Sequence, residues 1–415
     1  MQKSFLRLAL AMAFAASAPS FAQLQAANTA LNLPLALQRA ASANPELAVA
    51  LREVQAQEGL LRQAGLIPNP ELAISLEDTQ KATRTSSMQL SQAIELGGKR
   101  SARQLAGERS RDLALAELAI KQAEIRASVV ANFYDLLIAQ ERHTLAVSSA
   151  GLAAAVSQAT AKRVQLGKIS PLEATKARIA ESAVSIELAQ ARAELSNARH
   201  KLVALWGGSW SELEVLDAQA SRLPRLPELS DLLAGLSRSP LWLRAHSQLQ
   251  RRLALEQLER SRQTGDLTLS VGVKRDQQIG RNQATFGVAM PLPLFDRNQG
   301  NLQESLSRTG QARDELAALE IRLKSELAQL HQRLLVARQE TKLMQSELLP
   351  GAQSAYEAAL TGFEYGKFNY LDVLDAQRTL QQAKAQYLRA MAETHRAGAE
   401  ITRLTGEVLI VADTQ

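Results

Sequence analysis

No cysteine occurs in the 415 residues. Disulfides are therefore excluded, as are thiolate metal sites and a lipid carried on an N-terminal cysteine. Aromatics make up only 4%, which counts against a membrane barrel, whose rims usually carry girdles of aromatic rings. With 12 prolines and 21 glycines, no Pro/Gly-rich linker divides the chain cleanly into the two or three ordinary domains its length allows. Outside the N-terminal leader, no apolar run reaches the ~18 residues of a membrane helix. Charge of one sign is also missing. The 48 Lys and Arg face 42 Asp and Glu, interleaved along helical stretches as on solvated faces, so nucleic acid is not an expected partner.

What the sequence does contain begins with a leader. Lys3 and Arg7 precede an apolar run from Leu8 to Ala16, and Ser20-Phe21-Ala22 offers a cleavage site before Gln23. Residues 1–22 read as a signal peptide. Its loss removes two cations and lowers the formal charge from +6 to +4. An exported chain of this composition can enter a membrane only as strands.

The organising stretch is TFGVAMPLPLFDRNQGNL, from Thr285 to Leu302. Phe286, Val288, Met290, Leu292 and Leu294 alternate with small or polar residues, the period-two pattern of a strand with one apolar face. Beyond Asp296 the period becomes helical, with Leu302, Leu306, Thr309, Ala312 and Leu316 followed by Leu319, Leu323, Leu327, Leu330 and Leu334. The same switch occurs 198 residues earlier, where Leu96 stands for Leu294. There Met88, Leu90, Ile94 and Leu96 alternate before Gly97-Gly98-Lys99-Arg100 hands over to a helix. Two copies of one junction point to an internal duplication.

Taken in order, residues 23–208 form a first repeat. A helix over 35–64 ends before Pro68 and Pro70, a β-hairpin spans 70–96, and a helical hairpin spans 101–205. Its two arms meet at Gly167. Ser170, Pro171 and Glu173 then restart the helix as N-cap, first helical residue and capping-box partner. Residues 209–238 read as an inserted segment. Residues 239–406 repeat the cycle, with a helix at 241–262, a hairpin at 266–294 and a helical hairpin over 300–404; 407–415 is a tail. In this second hairpin Pro350 should kink the first arm, Gly366 should end it, and Asn369 with Asp372 should repeat the cap.

A helix of roughly 62 residues is about 90 Å long, so four such arms cannot fold into a sphere and must lie side by side as a rod or tube. Four strands of about 9–11 residues suit a tilted membrane crossing. They cannot close a barrel, which needs at least about eight, so several chains must share one. The other reading of the strands is a sheet covered by the helices of a periplasmic coiled-coil scaffold without a pore.

Enzymatic chemistry finds no foothold. His143, His200, His246, His331 and His395 stand at least 46 residues apart, without paired ligand spacing, and read as packing or surface residues. The glycines of 97–98 lack phosphate-loop spacing and read as a turn with basic flanks. No metal site, cofactor or catalytic residue is expected.

The segments QAIELGGKR, PLPLFDRNQGN, VQLGKISPLEATKAR and FEYGKFNYLDVLDAQRTL together resemble the outer-membrane factor (TolC) family over about residues 35–406. The ELGGKR and PLFDRNQG forms look most like its CzcC-type cation-efflux branch. The resemblance implies a mainly α chain with a small membrane β part. Three copies would share a 12-stranded outer-membrane barrel, four strands from each, continued by an α-barrel tunnel through the periplasm. It implies passive conduction of divalent heavy metals such as cobalt, zinc and cadmium, with organic compounds as the alternative cargo. The implied partners are a periplasmic adaptor (membrane fusion) protein, an inner-membrane RND-type pump and outer-membrane lipid.

Site residues follow from the same resemblance. The turns Leu166-Gly167-Lys168-Ile169 and Tyr365-Gly366-Lys367-Phe368 match the family's adaptor-contacting tips, each glycine serving also as a helix C-cap. Asp372 and Asp375, three residues apart on one helical face, match an acidic entrance ring, with Glu173 as partner in the other hairpin. Glu173 and Asp372 also stand where a carboxylate caps a helix. Phe363 and Phe368 replace a Tyr and an Arg that lock the gate in some members, so apolar packing of these rings is expected to close the mouth.

Overall fold

The computed structural model describes residues 31–78, 80–208, 222–365, 367–368 and 370–409. The expected leader therefore lies outside the described residues, as do residues 209–221 of the 209–238 segment and the end of the tail.

Two short helices open the described chain, α1 (Leu33–Ala43) and α2 (Pro45–Ala64), where one had been expected over 35–64. Asn32 and Asn44 cap them, each Oδ1 accepting from a backbone N–H three residues on, Leu35 at 2.9 Å and Leu47 at 3.0 Å. Pro45 cannot continue α1 with a backbone donor. Asn44 also donates from Nδ2 to the carbonyl of Leu205 at 2.8 Å, so a distant contact helps to fix the break.

Four strands follow the duplicated pattern: β1 (Glu71–Glu77), β2 (Thr85–Ile94), β3 (Leu267–Asp276) and β4 (Arg281–Ala289). They form one antiparallel sheet in the order β1-β2-β3-β4, so β2 and β3 join the two repeats and β1 and β4 are open edges. The register sets Leu72, Leu90, Val271 and Phe286 in one row and Ile74, Met88 and Val273 in the next. All seven are exposed, from 46% at Leu90 to 83% at Phe286. The opposite face carries Ser75, Ser87, Lys274 and Gln283 in one row and Ala73, Gln89, Gly272 and Thr285 in another. The strand expected to run to Leu294 stops at Ala289. Pro291 and Pro293 have no ladder donors, and Leu292 and Leu294 lie exposed beyond the sheet.

The long arms are α3 (Lys99–Gln165), α4 (Pro171–Ala204), α7 (Gln299–Leu343), α8 (Leu349–Glu364) and α9 (Tyr370–Thr405). The 67 residues of α3 extend about 100 Å. Between α7 and α8 a π-helical turn, Met344–Leu348, replaces the simple kink expected at Pro350. Pro350 offers no N–H to the Ser346 carbonyl and its ring crowds that oxygen, and a π turn relieves both. The short α5 (Leu229–Ala234) precedes α6 (Pro240–Ser261), which packs on α3 and α7. Because α3 packs on α4 and α9, and α9 on α7 and α8, the long segments run in the order α4, α3, α9, α7–α8.

The densest packing lies partway along these arms. Val129, Phe133 and Leu136 of α3, with Leu202 of α4, are fully buried and meet Met391 of α9; Leu323, Leu327 and Leu334 of α7 pack with Ile401 and Leu404 of α9. Tyr134 stacks on His395 at 3.5 Å between ring centroids, and burial pushes its phenol pKa up. The helical period was legible, with one local shift. Near the sheet, Ser305 is buried on α7 and Leu306 is 44% exposed.

Each strand-to-helix junction turns on a left-handed N-cap, Gly98 at φ 73° and Asn298 at φ 58°. The basic residues beside the glycines are tied down locally. Lys99 Nζ pairs with Asp266 Oδ1 at 2.6 Å, Arg100 donates to the Gly65 carbonyl at 2.8 Å, and Arg103 forks onto Glu95. Gly97 sits at φ 68° with Thr264 and the Ser261 carbonyl less than 3 Å from where a β-carbon would stand. Gly97→Ala should cost about 2 kcal/mol, since positive φ alone costs an L-residue roughly 1–2. Thermal unfolding of the detergent-extracted protein measures this, with Gly151→Ala, in open space inside α3, as a control that should not destabilise, since Ala exceeds Gly in helix propensity by roughly 1 kcal/mol.

Candidate functional site

The two helical hairpins turn at the end of the arms away from the sheet. Their turns are built alike. At the first, Gly167 adopts φ 66°, its N–H donates to the Val164 carbonyl at 2.9 Å, and the Lys168 N–H donates to the Arg163 carbonyl at 2.9 Å. These are the two bonds of a Schellman motif, which satisfies the last carbonyls of α3. At the second, the Lys367 N–H reaches the Gly362 carbonyl at 2.8 Å, the corresponding six-to-one bond. Gly366 itself lies outside the described residues.

The repeated geometry gives each turn the same surface chemistry. Leu166 and Tyr365 are 61% and 77% exposed at matching positions, and Lys168 and Lys367 are exposed two residues later. Ile169 is half-buried, and Phe368, at the equivalent place, lays its ring over Gly362 where any β-carbon would overlap it. Gly362 is thus a site residue that the sequence reading passed over. Its signal is a glycine at the carbonyl position to which the turn bonds back. Phe363 belongs to α8, and its side chain lies outside the described residues. The structure brings Phe368 onto Gly362.

Asp372 and Asp375 stand in the first two turns of α9, both exposed, with Val373 buried between them. No ion pair among the described residues involves Asp375. Glu173 behaves differently from the capping-box expectation. Ser170 Oγ accepts from the Leu172 N–H at 3.3 Å, but the Glu173 carboxylate turns to Lys176 Nζ at 3.1 Å. An exposed (i, i+3) pair is worth little stability, yet it neutralises the local charge. At this end Glu173 is therefore charge-paired, while Asp375 of α9 has no ion pair among the described residues. Among the described residues no group of three potential ligands could hold a metal ion, and no helix is long and apolar enough to cross a membrane.

At the other end, the sheet presents an apolar face to its surroundings and has two open edges. Strands of 7–10 residues reach about 23–33 Å, comparable with the hydrocarbon core of a bilayer.

The chain is 46% identical over 419 residues to the cobalt-zinc-cadmium resistance protein CzcC of Cupriavidus metallidurans, covering 98% of this chain and all of the relative. It superposes on a membrane protein from Pseudomonas aeruginosa with a TM-score of 0.78 at 19% identity, covering 90% of this chain and 92% of the other. The open state of the MtrE outer membrane channel of Neisseria gonorrhoeae gives 0.75 at 17%, covering 91% and 89%. At such identities these structures establish the fold. Residues 36–208 and 234–407 each match the description "outer membrane efflux protein". This two-part match over most of its length, with the near-complete relative, places the chain in the outer membrane efflux protein family: it is the outer-membrane duct of an efflux system, its sheet in the membrane and its helical arms in the periplasm.

Proposed function

We propose that three copies form a passive exit duct for divalent heavy-metal cations such as cobalt, zinc and cadmium. The carrying observation is the full-length 46% identity to a cobalt-zinc-cadmium resistance protein. Three four-stranded sheets supply twelve strands, enough to close a barrel and remove the edges at β1 and β4. The exposed apolar rows on one face then meet lipid, and the Ser, Gln, Gly and Lys274 rows line water. A covered sheet in a pore-free scaffold has no use for such a face.

The repeats, residues 23–208 and 239–406, supply one hairpin of strands and one of helices each, with 209–238 inserted beside the tube. Cargo enters from an inner-membrane RND-type pump and a periplasmic adaptor. The turns at Leu166–Ile169 and Tyr365–Phe368 are the docking points, and Asp372 with Asp375 forms the acidic entrance, to which Glu173 contributes less because of Lys176. Phe368, and Phe363 five residues before it, are the apolar closure of the mouth. Nothing in this role requires a catalytic residue or a resident cofactor, because selection of cargo rests with the pump.

Replacement of CzcC by this chain in a strain lacking its own duct tests the function. Recovery of growth in cobalt, zinc and cadmium is the expected result. Recovery against organic compounds but not metals would overturn the choice of cargo. The mass of the detergent-extracted particle should correspond to three chains.

A further inference from the structure

The helices raise a closure problem of their own. Their order, α4, α3, α9, α7–α8, is as open as the order of the strands, so a tube requires α4 of one copy to meet α7–α8 of the next. We propose that this contact is seated at the π turn, with Ile186 of α4 entering a socket formed by Val336, Leu343, Met344 and Leu348 of the neighbouring copy. The proposal rests on the trimeric duct proposed above.

Three observations carry it. First, α4 has an unused seam. Leu172, Thr175, Ile179, Ser182, Ile186 and Ala189 follow at steps of 3, 4, 3, 4 and 3, all exposed and none charged, on the side away from the buried Ala177, Ala191 and Leu202. Leu172, Ile179 and Ile186 are 59%, 65% and 61% exposed, where an a/d heptad seam expects a partner helix.

Second, the free side of α7 bears a matching uncharged strip through Ile321, Ser325, Gln332, Val336, Gln339 and Leu343, all exposed. It ends in an open groove of about 610 Å³ lined by the apolar Val336, Leu343, Met344 and Leu348 together with Gln339, Glu340 and Glu347. The π turn broadens the helix at this point, its closing N–H of Leu349 reaching back five residues to Met344, and so opens a seat wider than an ordinary α groove.

Third, the heights agree. The two hairpins are of nearly equal length and leave the same end of one sheet, from β2 and β4, which run parallel to each other with β3 between them. Ile186 lies 15 residues above Pro171, about 22 Å, and Leu348 lies 16 residues above Glu364, about 24 Å. A second copy is favoured as the occupant because the strands reach the same open ends in the same order. One rotation then closes both rings.

The absence of native cysteine makes disulfide trapping clean. Purified Ile186→Cys/Leu348→Cys and Ile186→Cys/Leu343→Cys should form covalent dimers and trimers on oxidation. Ile186→Cys/Ile321→Cys should not, since Ile321 stands about 40 Å further from the turns. Ile186→Leu should keep the oligomer, and Ile186→Glu should lose it. An intact oligomer that cross-links at neither socket position, or links 186 to 321, overturns the socket and leaves the duct standing. A wild-type protein that is monomeric in detergent overturns both. In whole membranes, a cross-link from position 186 to a different protein in place of the oligomer also overturns the socket.

Discussion

Reversing the two turn lysines together, Lys168→Glu with Lys367→Glu, is expected to weaken metal resistance strongly while leaving a folded, membrane-inserted oligomer. Both side chains are exposed, and the backbone N–H of each closes the same six-to-one bond, so the duplicated turns present one charge in one setting at six places around the proposed trimer. The backbone N–H groups of both lysines hold the turns, and Glu keeps those donors, so the cap survives the change. Only the charge seen by the partner alters. Like charges brought together in an interface cost several kcal/mol, and each 1.4 kcal/mol is tenfold in affinity, so adaptor binding should weaken by about tenfold or more. Growth in zinc or cadmium, with cross-linking to the adaptor as the direct readout, measures it. Unchanged resistance and cross-linking would refute docking through these turns. Replacing Gly167 instead would confuse docking with folding, because φ 66° disfavours any side chain.

The second large effect is on conduction. Asp372→Asn with Asp375→Asn is expected to lower the cation preference of single channels by about tenfold and to relieve block by multivalent cations. In a trimer the pair sets six carboxylates around the narrow periplasmic end. A cleft lined by one sign of charge raises the local concentration of counter-ions by roughly 10- to 1000-fold. Val373 is buried between the two acids, so the face of α9 that carries them is fixed by packing and survives the change to Asn. Glu173→Gln should do much less, since Lys176 already balances that carboxylate. The difference between wild type and double variant should shrink near 1 M salt, where screening falls to about 3 Å. A double variant with wild-type selectivity at low salt would refute the acidic entrance.

Phe368 belongs both to the turn and to the proposed closure of the mouth. Gly362→Ala places a β-carbon where its ring lies, so the ring must leave its seat. If apolar packing closes the mouth, this variant should conduct more than wild type in the absence of pump and adaptor. Planar-bilayer recording reads the leak.

Local pattern by itself determined the elements. The change from period two to a helical period marked both junctions, the glycine turns and Ser170-Pro171 marked both ends of the first hairpin, and the 198-residue offset gave the duplication. These are properties of neighbouring residues, and propensity, capping and alternation act over a few positions. Tertiary structure decided what distant residues settle between them. The first helix broke at Asn44, which bonds across the fold to Leu205. The last strand ended at Ala289, where the partner ladder ran out before two prolines, and Glu173 chose Lys176 over its cap. The pairing of β2 with β3 and the order of the long helices were likewise absent from any local pattern, because loop closure and packing select partners from the whole chain. An uncharged stripe on α4 was readable as letters. Only the fold showed that it faces outward, unclaimed by its own chain, at the height of the socket.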